Sequence, residues 1–230
     1  MKNNITTLNE FEGATLLRQS GIPVTDGVLA QDESDAQVAA GRLGFPVVLK
    51  ICSEAVPHKT EQGGVVLNIR DAASLGKAVR EMKRKFSDIP HDLLVQKMAQ
   101  PGTELILGAR RDPVFGPIVL VGIGGIFTEV FRDSAIDLAP VDEKDAMAMI
   151  RRLKGIVLLT GFRGQDPLDL GAIAKAVAAL SSLIISRPDI SEIDVNPFIA
   201  YPDGAIAVDA LVRLSGSPAA FPKKRTDPGT

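Results

Sequence analysis

From Thr103 to Pro140 the chain offers one apolar, β-branched run after another, TELILGAR, GPIVLVGIGG, IFTEVF and AIDLAP, with no helical period among them. The breaks between these runs are turn signals, Arg111-Asp112-Pro113 and Gly124-Gly125. Strands strung together by turns cannot alternate with helices. This stretch alone argues for α+β lobes and against a doubly wound sheet.

The flanking segments complete the pattern. LNEFEGATLLRQSG reads as an amphipathic helix with Phe11, Leu16 and Leu17 on one face, ended by Gly21 and Pro23, and GVLA follows as a short strand. SDAQVAAGRLG is a helix stopped near Gly44, PVVLKIC an apolar strand, GGVVLNI another, and Asp71 caps the helix DAASLGKAVREMKRKF before the strand DLLVQKM. Beyond the β-rich stretch come two helices, EKDAMAMIRRLKG and LDLGAIAKAVAALSSLII. The sequence ISEIDVNPFIAYPDGAIAVDALV then reads as two strands joined by a turn at Pro202-Asp203-Gly204. MAQPG is the clearest break between apolar strands. It divides the chain into an N-terminal lobe, 1–98, and a C-terminal lobe, 99–214, with 215–230 a flexible tail.

With 45% hydrophobic residues in 230, the chain has ample material for a core of that size. A net charge of −2 with interspersed signs gives no electrostatic footprint for nucleic acid, and the basic cluster Lys223, Lys224, Arg225 lies in the polar tail. Cys52 is the only cysteine, the opening MKNNITTLNE has no apolar signal core, and no apolar run approaches the roughly 20 residues of a membrane span. The expectation is a cytoplasmic, disulfide-free protein that contacts no membrane.

Several residues need a chemical reason. Lys50 interrupts the apolar run VVLKIC, so its ammonium either snorkels at the strand end or meets an anion such as a phosphate. Glu192, Asp194 and Asn196 alternate in EIDVNPF and share one side of a strand, as a solvent-facing edge or as oxygen ligands that suit Mg²⁺. Asp209, alone in AIAVDALV, lies beside them if the last two strands pair antiparallel. GIGGIFTE lacks the spacing of a phosphate loop and reads better as a turn, while Arg163 in GFRGQDP is either a phosphate clamp or a solvated side chain. In VPHKTEQGGV, His58 is either an ordinary loop histidine or a nucleophile kept neutral by the adjacent Lys59. His91 reads as surface.

Taken in order, PVVLK, VPHKTEQGGV, LLVQKMAQPGTELILG, FGPIVLVGIGGIFTEVFRD, GFRG and SEIDVNPF resemble the ATP-grasp domain of ADP-forming acyl-CoA synthetases, from about Leu8 to Leu214. The likeness is to the separate β subunit of the acetate–CoA ligase type, and more distantly to the β subunit of succinyl-CoA synthetase. It implies an ATP-grasp fold, two α+β lobes holding ATP or ADP between antiparallel sheets. It implies that Lys50 and Lys59 meet phosphates, that the Gln96, Lys97, Met98 strand meets adenine, and that Glu104 holds the ribose. Asn196 and Asp209, with Asp194 in second rank, become magnesium ligands. His58 becomes a phosphohistidine and Arg163 an auxiliary catalytic group.

The implied reaction is acyl-CoA + ADP + phosphate ⇌ acid + CoA + ATP. The chain shows no GxGxxG-type segment for CoA and no second loop histidine. CoA is therefore expected on a partner α subunit in an α/β hetero-oligomer, and Met1 with its polar lead suits a separate subunit. The competing expectations are a carboxylate ligase of the same fold working without phosphohistidine, and a non-catalytic nucleotide-sensing module.

Overall fold

The computed structural model describes residues 5–56, 59, 61–125 and 133–215. Two antiparallel sheets organise it. The smaller has the order β2-β5-β3-β4, built from β2 (Gly27–Ala30), β3 (Val47–Cys52), β4 (Val65–Ile69) and β5 (Asp92–Lys97). Helices α2 (Glu33–Leu43) and α3 (Ala72–Lys85) cover one of its faces. Asp32 and Asp71 cap these helices by accepting hydrogen bonds from Asp35 and Ser74 backbone N–H groups, at 2.9 and 2.8 Å.

Alternation along β3 decides what the other face carries. Val47, Leu49 and Ile51 enter the core beneath the helices, so Val48, Lys50 and Cys52 point away from it. Every residue of β3 is nonetheless buried, which means that the second face is covered too.

Elements that go with the larger sheet, the start of the first helix at Glu10 and the segment at Val208, meet it. The larger sheet has the order β1-β11-β9-β6-β7-β8, with β10 paired to β9, from β1 (Ile5–Thr7), β6 (Thr103–Asp112), β7 (Gly116–Ile123), β8 (Ser134–Leu138), β9 (Ile190–Tyr201), β10 (Gly204–Ala207) and β11 (Leu211–Ser215). Helix α1 (Glu10–Gln19), α4 (Glu143–Arg151), the short α5 (Ile156–Leu159) and α6 (Leu170–Ser186) contribute to its core. The expected run of turn-linked strands is therefore present in β6, β7 and β8. The IFTEVF segment and residues 216–230 of the expected tail lie outside the described residues.

Two features differ from the sequence expectation. The polar lead contains β1, which pairs with β11, and α1 buries Leu16 and Leu17 in the larger core. The opening residues thus go with the C-terminal sheet, and the N-terminal lobe proper starts at β2. The second difference is at AIAVDALV, read as one strand but broken into β10 and β11 at residues 208–210.

Pro197 accounts for this break. It has no N–H to give a ladder, and the register slips beside it: Leu105 faces Phe198 while Leu107 faces Val195. On its other edge β9 pairs with β10 as far as Phe198 and with β11 from Asp194, leaving the segment between them to loop out. Gly13 of α1 closes on this loop, and a Cβ there would lie 3.1 Å from the Ala210 carbonyl oxygen.

Substituting Gly13→Val should therefore push α1 off residues 208–210 and cost about 1–3 kcal/mol by overpacking, against a small gain in helix propensity. Urea unfolding at unchanged m-value is the measurement; wild-type stability would show that the contact is slack.

Candidate functional site

The looped-out segment meets the uncovered face of the small sheet. Lys50 Nζ donates to the Val208 carbonyl at 3.0 Å and to Glu10 Oε1 at 2.5 Å. Gln96 Nε2, from β5, donates to the same carbonyl at 3.2 Å and to Thr25 Oγ1 at 2.5 Å. One carbonyl thus receives two side chains from the opposite sheet. Lys50 and Glu10 are only 4% and 6% exposed, so this ammonium is paired and does not snorkel.

Glu10 has a second cation. Its Oε2 pairs with Lys59 Nζ, which also donates to Asp209 Oδ1 at 3.0 Å. Burial works to lower the Lys59 pKa, but Glu10 and Asp209 together outweigh it and hold the ammonium above its ordinary value. The loop that carries Lys59 is closed by Gly64, whose N–H donates to the Lys59 carbonyl at 2.6 Å. A Cβ at Gly64 would strike Ile51 at 2.5 Å. This glycine is there for close approach. His58 lies outside the described residues.

A cleft of about 250 Å³ opens between the lobes, lined among others by Glu10, Lys59, Asp194, Asn196 and Asp209, with Lys59 and Asp209 in direct contact. That is below the roughly 300–1,000 Å³ of pockets that enclose a whole drug-sized ligand, and it suits the charged end of a larger one. The expected alternation holds on β9, where Ile193 and Val195 are in the core and Asp194 and Asn196 face the cleft. Burial raises the Asp194 pKa, and the negative charges of Glu192 and Asp209 raise it further. Excess negative charge at a half-buried carboxylate is what a cation would relieve.

Among the described residues no group of three or more His, Cys, Asp or Glu could cage a metal alone. Two carboxylates and an amide oxygen fit Mg²⁺, which takes its other ligands from water and phosphate. The residues present therefore fit that ion, with Asp209, Asn196 and Asp194 as the holders.

The remaining expected site residues are placed as follows. Lys50 is not among the residues lining the cleft, because Glu10 stands between it and the opening. The backbone N–H groups of Lys97 and Met98 already donate to Asp26 and Pro46 carbonyls, at 2.9 and 3.2 Å. A base at this strand would have to use other groups. Gln96 Oε1 is buried without a partner among the described residues.

Glu104 is exposed on the face opposite Leu105 and Leu107, which is the face that bears Asp194 and Asn196. Its backbone carbonyl accepts from Gly124 N–H at 2.7 Å, so this glycine packs directly on Glu104, while the rest of the turn expected at GIGGIFTE lies outside the described residues. Arg163 sits on an exposed loop with its guanidinium 5.2 Å from the Phe162 ring centroid, and it does not line the cleft.

Neither His91 nor Cys52 lines the cleft. His91, read as surface, is half-buried edge-on against Phe86, with Nδ1 2.7 Å from the Ile89 carbonyl oxygen. Cys52 is buried, and that burial pushes its thiol up to about 11, far from a reactive thiolate.

Sequence reasoning missed Glu10. Asn9 and Glu12 form a reciprocal capping box and account for the polar start of α1, which left Glu10 looking like one more first-turn acid. Only its burial reveals another role.

Comparison with known proteins bears on this arrangement. A family model described as the ATP-grasp domain matches residues 1–214. The acetate–CoA ligase [ADP-forming] I subunit beta of Pyrococcus furiosus is 38% identical over 212 residues, covering 90% of this chain and 91% of that one. The 4-hydroxybutyrate–CoA ligase [ADP-forming] of Nitrosopumilus maritimus is 37% identical over 88% of this chain, which spans only 30% of that longer protein. Among solved structures, the dinucleotide-forming acetyl-coenzyme A synthetase 1 of Ca. Korarchaeum cryptofilum superposes with a TM-score of 0.81 at 43% identity, over 91% of this chain and 93% of that one. That complex holds coenzyme A and Mg-AMPPCP, and its phosphohistidine segment is described as pointing towards the nucleotide binding site.

The Asp194 carboxylate yields a prediction. Its raised pKa means that the folded state binds this proton more tightly than the unfolded chain, so the carboxylate lowers metal-free stability increasingly as pH rises above the ordinary carboxylate range. Asp194→Asn should melt higher than wild type at pH 7.5 in EDTA, with the gap shrinking toward pH 4. A pH-independent gap in calorimetry would contradict this account.

Proposed function

The chain belongs to the ATP-grasp family, among the β subunits of ADP-forming acetate–CoA ligases, and from that premise we propose that it carries phosphate between a partner α subunit and ADP through His58. The observation that supports this reading is the convergence of Lys59, Asp194, Asn196 and Asp209 on one cleft between the lobes. A cation for phosphate oxygens and oxygen ligands for Mg²⁺ then stand side by side in one cleft. The cleft would take the polyphosphate end of the nucleotide.

In the direction of ATP use, a neutral imidazole nitrogen of His58 attacks the terminal phosphoryl group. The new bond is N–P, the bond to the β,γ-bridging oxygen breaks, and ADP leaves with that oxygen's electrons. Mg²⁺, when bound at Asp209 and Asn196 with Asp194 beside them, neutralises charge on the phosphate oxygens. Lys59 offers a positioned ammonium beside Asp209, and Lys50 supports it through Glu10. Glu104 is proposed for the ribose, and the Gln96, Lys97, Met98 strand for the base through groups other than the two engaged amides. Arg163 is assigned no step, since it does not line the cleft.

The adjoining half of the reaction, at acid and CoA, is proposed for the α subunit. In the longer relatives a chain of this kind is 30% of the whole, which leaves ample room for those functions elsewhere. The acid itself is chosen there.

Incubation with γ-labelled ATP and Mg²⁺ should place an acid-labile phosphate on His58. His58→Ala should abolish the label while retaining nucleotide binding by calorimetry. Label elsewhere, or undiminished turnover of the His58→Ala variant with its partner, would favour a carboxylate ligase without phosphohistidine. Full acyl-CoA synthesis is expected only when an α subunit is added, and synthesis by the purified chain alone would remove the need for that partner.

A further inference from the structure

Four side chains between the lobes form a line of alternating charge: the Lys50 ammonium, the Glu10 carboxylate, the Lys59 ammonium and the Asp209 carboxylate. The inner pair is 5% and 3% exposed at the side chain, the outer pair 10% and 28%, so the line runs from the interior to the cleft. Glu10 is its pivot. We propose that Glu10 is a positioning residue for phosphoryl transfer, which fixes the Lys59 ammonium at the cleft and acts on phosphate only through that lysine. The inference rests on the phosphotransfer reading above.

A lysine has a long flexible stem, and an ammonium catalyses only if it is already in place when charge develops. Lys59 has three N–H donors; among the described residues it is paired with Glu10 and donates to Asp209. Beyond these two carboxylates no other acceptor is seen for it among the described residues, so a ligand oxygen would complete its set. Asp209 is also a proposed cation ligand, whereas the two Glu10 oxygens go to Lys50 and Lys59 separately and none is assigned to the metal.

Glu10 is itself well anchored. It starts α1, whose Leu16 and Leu17 lie in the larger core, and its other oxygen is tied to Lys50. Its carboxylate is not needed to cap that helix, because Asn9 and Glu12 do so. A purely structural Glu10 would serve only to neutralise Lys50. The two roles predict different kinetics.

The test compares wild type, Glu10→Gln and Glu10→Asp by initial rate of acid-labile labelling against ATP concentration, and by thermal unfolding of each without metal. Glu10→Gln should fold with a lowered Tm, lose about 100-fold in maximal rate, and keep its half-saturating ATP within about threefold. Glu10→Asp keeps the charge but withdraws it by one methylene, and should be slowed about tenfold, a partial rescue. Should Glu10→Gln not fold, the Asp variant carries the test alone.

A folded variant labelled at the wild-type maximal rate would overturn the inference, leaving Glu10 a neutraliser of Lys50. So would a change confined to half-saturating ATP. Absence of label on wild type would overturn the phosphotransfer reading and this inference together, whereas normal labelling of wild type and both variants would overturn this inference alone.

Discussion

An ammonium can leave water only in the company of an anion or a set of acceptors, and the burial of Lys50 between two sheets imposes that condition on everything around it. Glu10 and the Val208 carbonyl meet it. Leaving one member of such a pair buried alone costs about 3–5 kcal/mol, a large share of the stability of a domain. Truncating Glu10 while Lys50 stays covered would incur that cost, so α1 and the 208–210 segment must stay in place for as long as that face of the small sheet is closed to water. Helix α1 must therefore stay on the larger sheet while reaching across to the smaller one, which its glycine at position 13 permits. The ion pair contributes little net stability; it contributes a fixed relation between the lobes.

The second element of that relation is an interruption. Pro197 removes a donor from β9, the neighbouring ladder slips, and β10 and β11 separate. The freed residues are Val208, Asp209 and Ala210: a carbonyl that anchors the opposite sheet, a carboxylate on the cleft, and a close contact for α1. The Val208 N–H still reaches β9 at the Pro197 carbonyl, 3.0 Å away, but an uninterrupted strand would have committed the Val208 carbonyl to the ladder as well. The cleft exists because the sheet fails locally.

The legible parts of the sequence were those with a period or a turn. An α+β fold followed from the pattern of strands and helices, its antiparallel sheets only from the family resemblance, and the sharing of a face by Asp194 and Asn196 from strict alternation in EIDVNPF. Lys50 was legible as an anomaly. Its partner was not, because Glu10 is 40 residues away and sits in a helix start where an acid is ordinary. The break at Asp209 was hidden by an apolar context that looks like continuous strand, since its cause lies in the neighbouring strand. The pairing of β1 with β11 was hidden for the same reason, as nothing in a three-residue polar segment announces a partner over 200 residues on.

That pairing has an architectural consequence. Ile5 lies opposite Ser215 at the edge of the larger sheet, so the first and last described strands run side by side. A unit whose two ends meet at one margin can be spliced to another through a single seam without disturbing its interior. Such a unit works as readily as an independent gene product as it does within a fused polypeptide. The two arrangements correspond to the Pyrococcus subunit, matched over 91% of its length, and the Nitrosopumilus enzyme, matched over 30%. Rearrangement of genes in this family need not have required any redesign of the cleft.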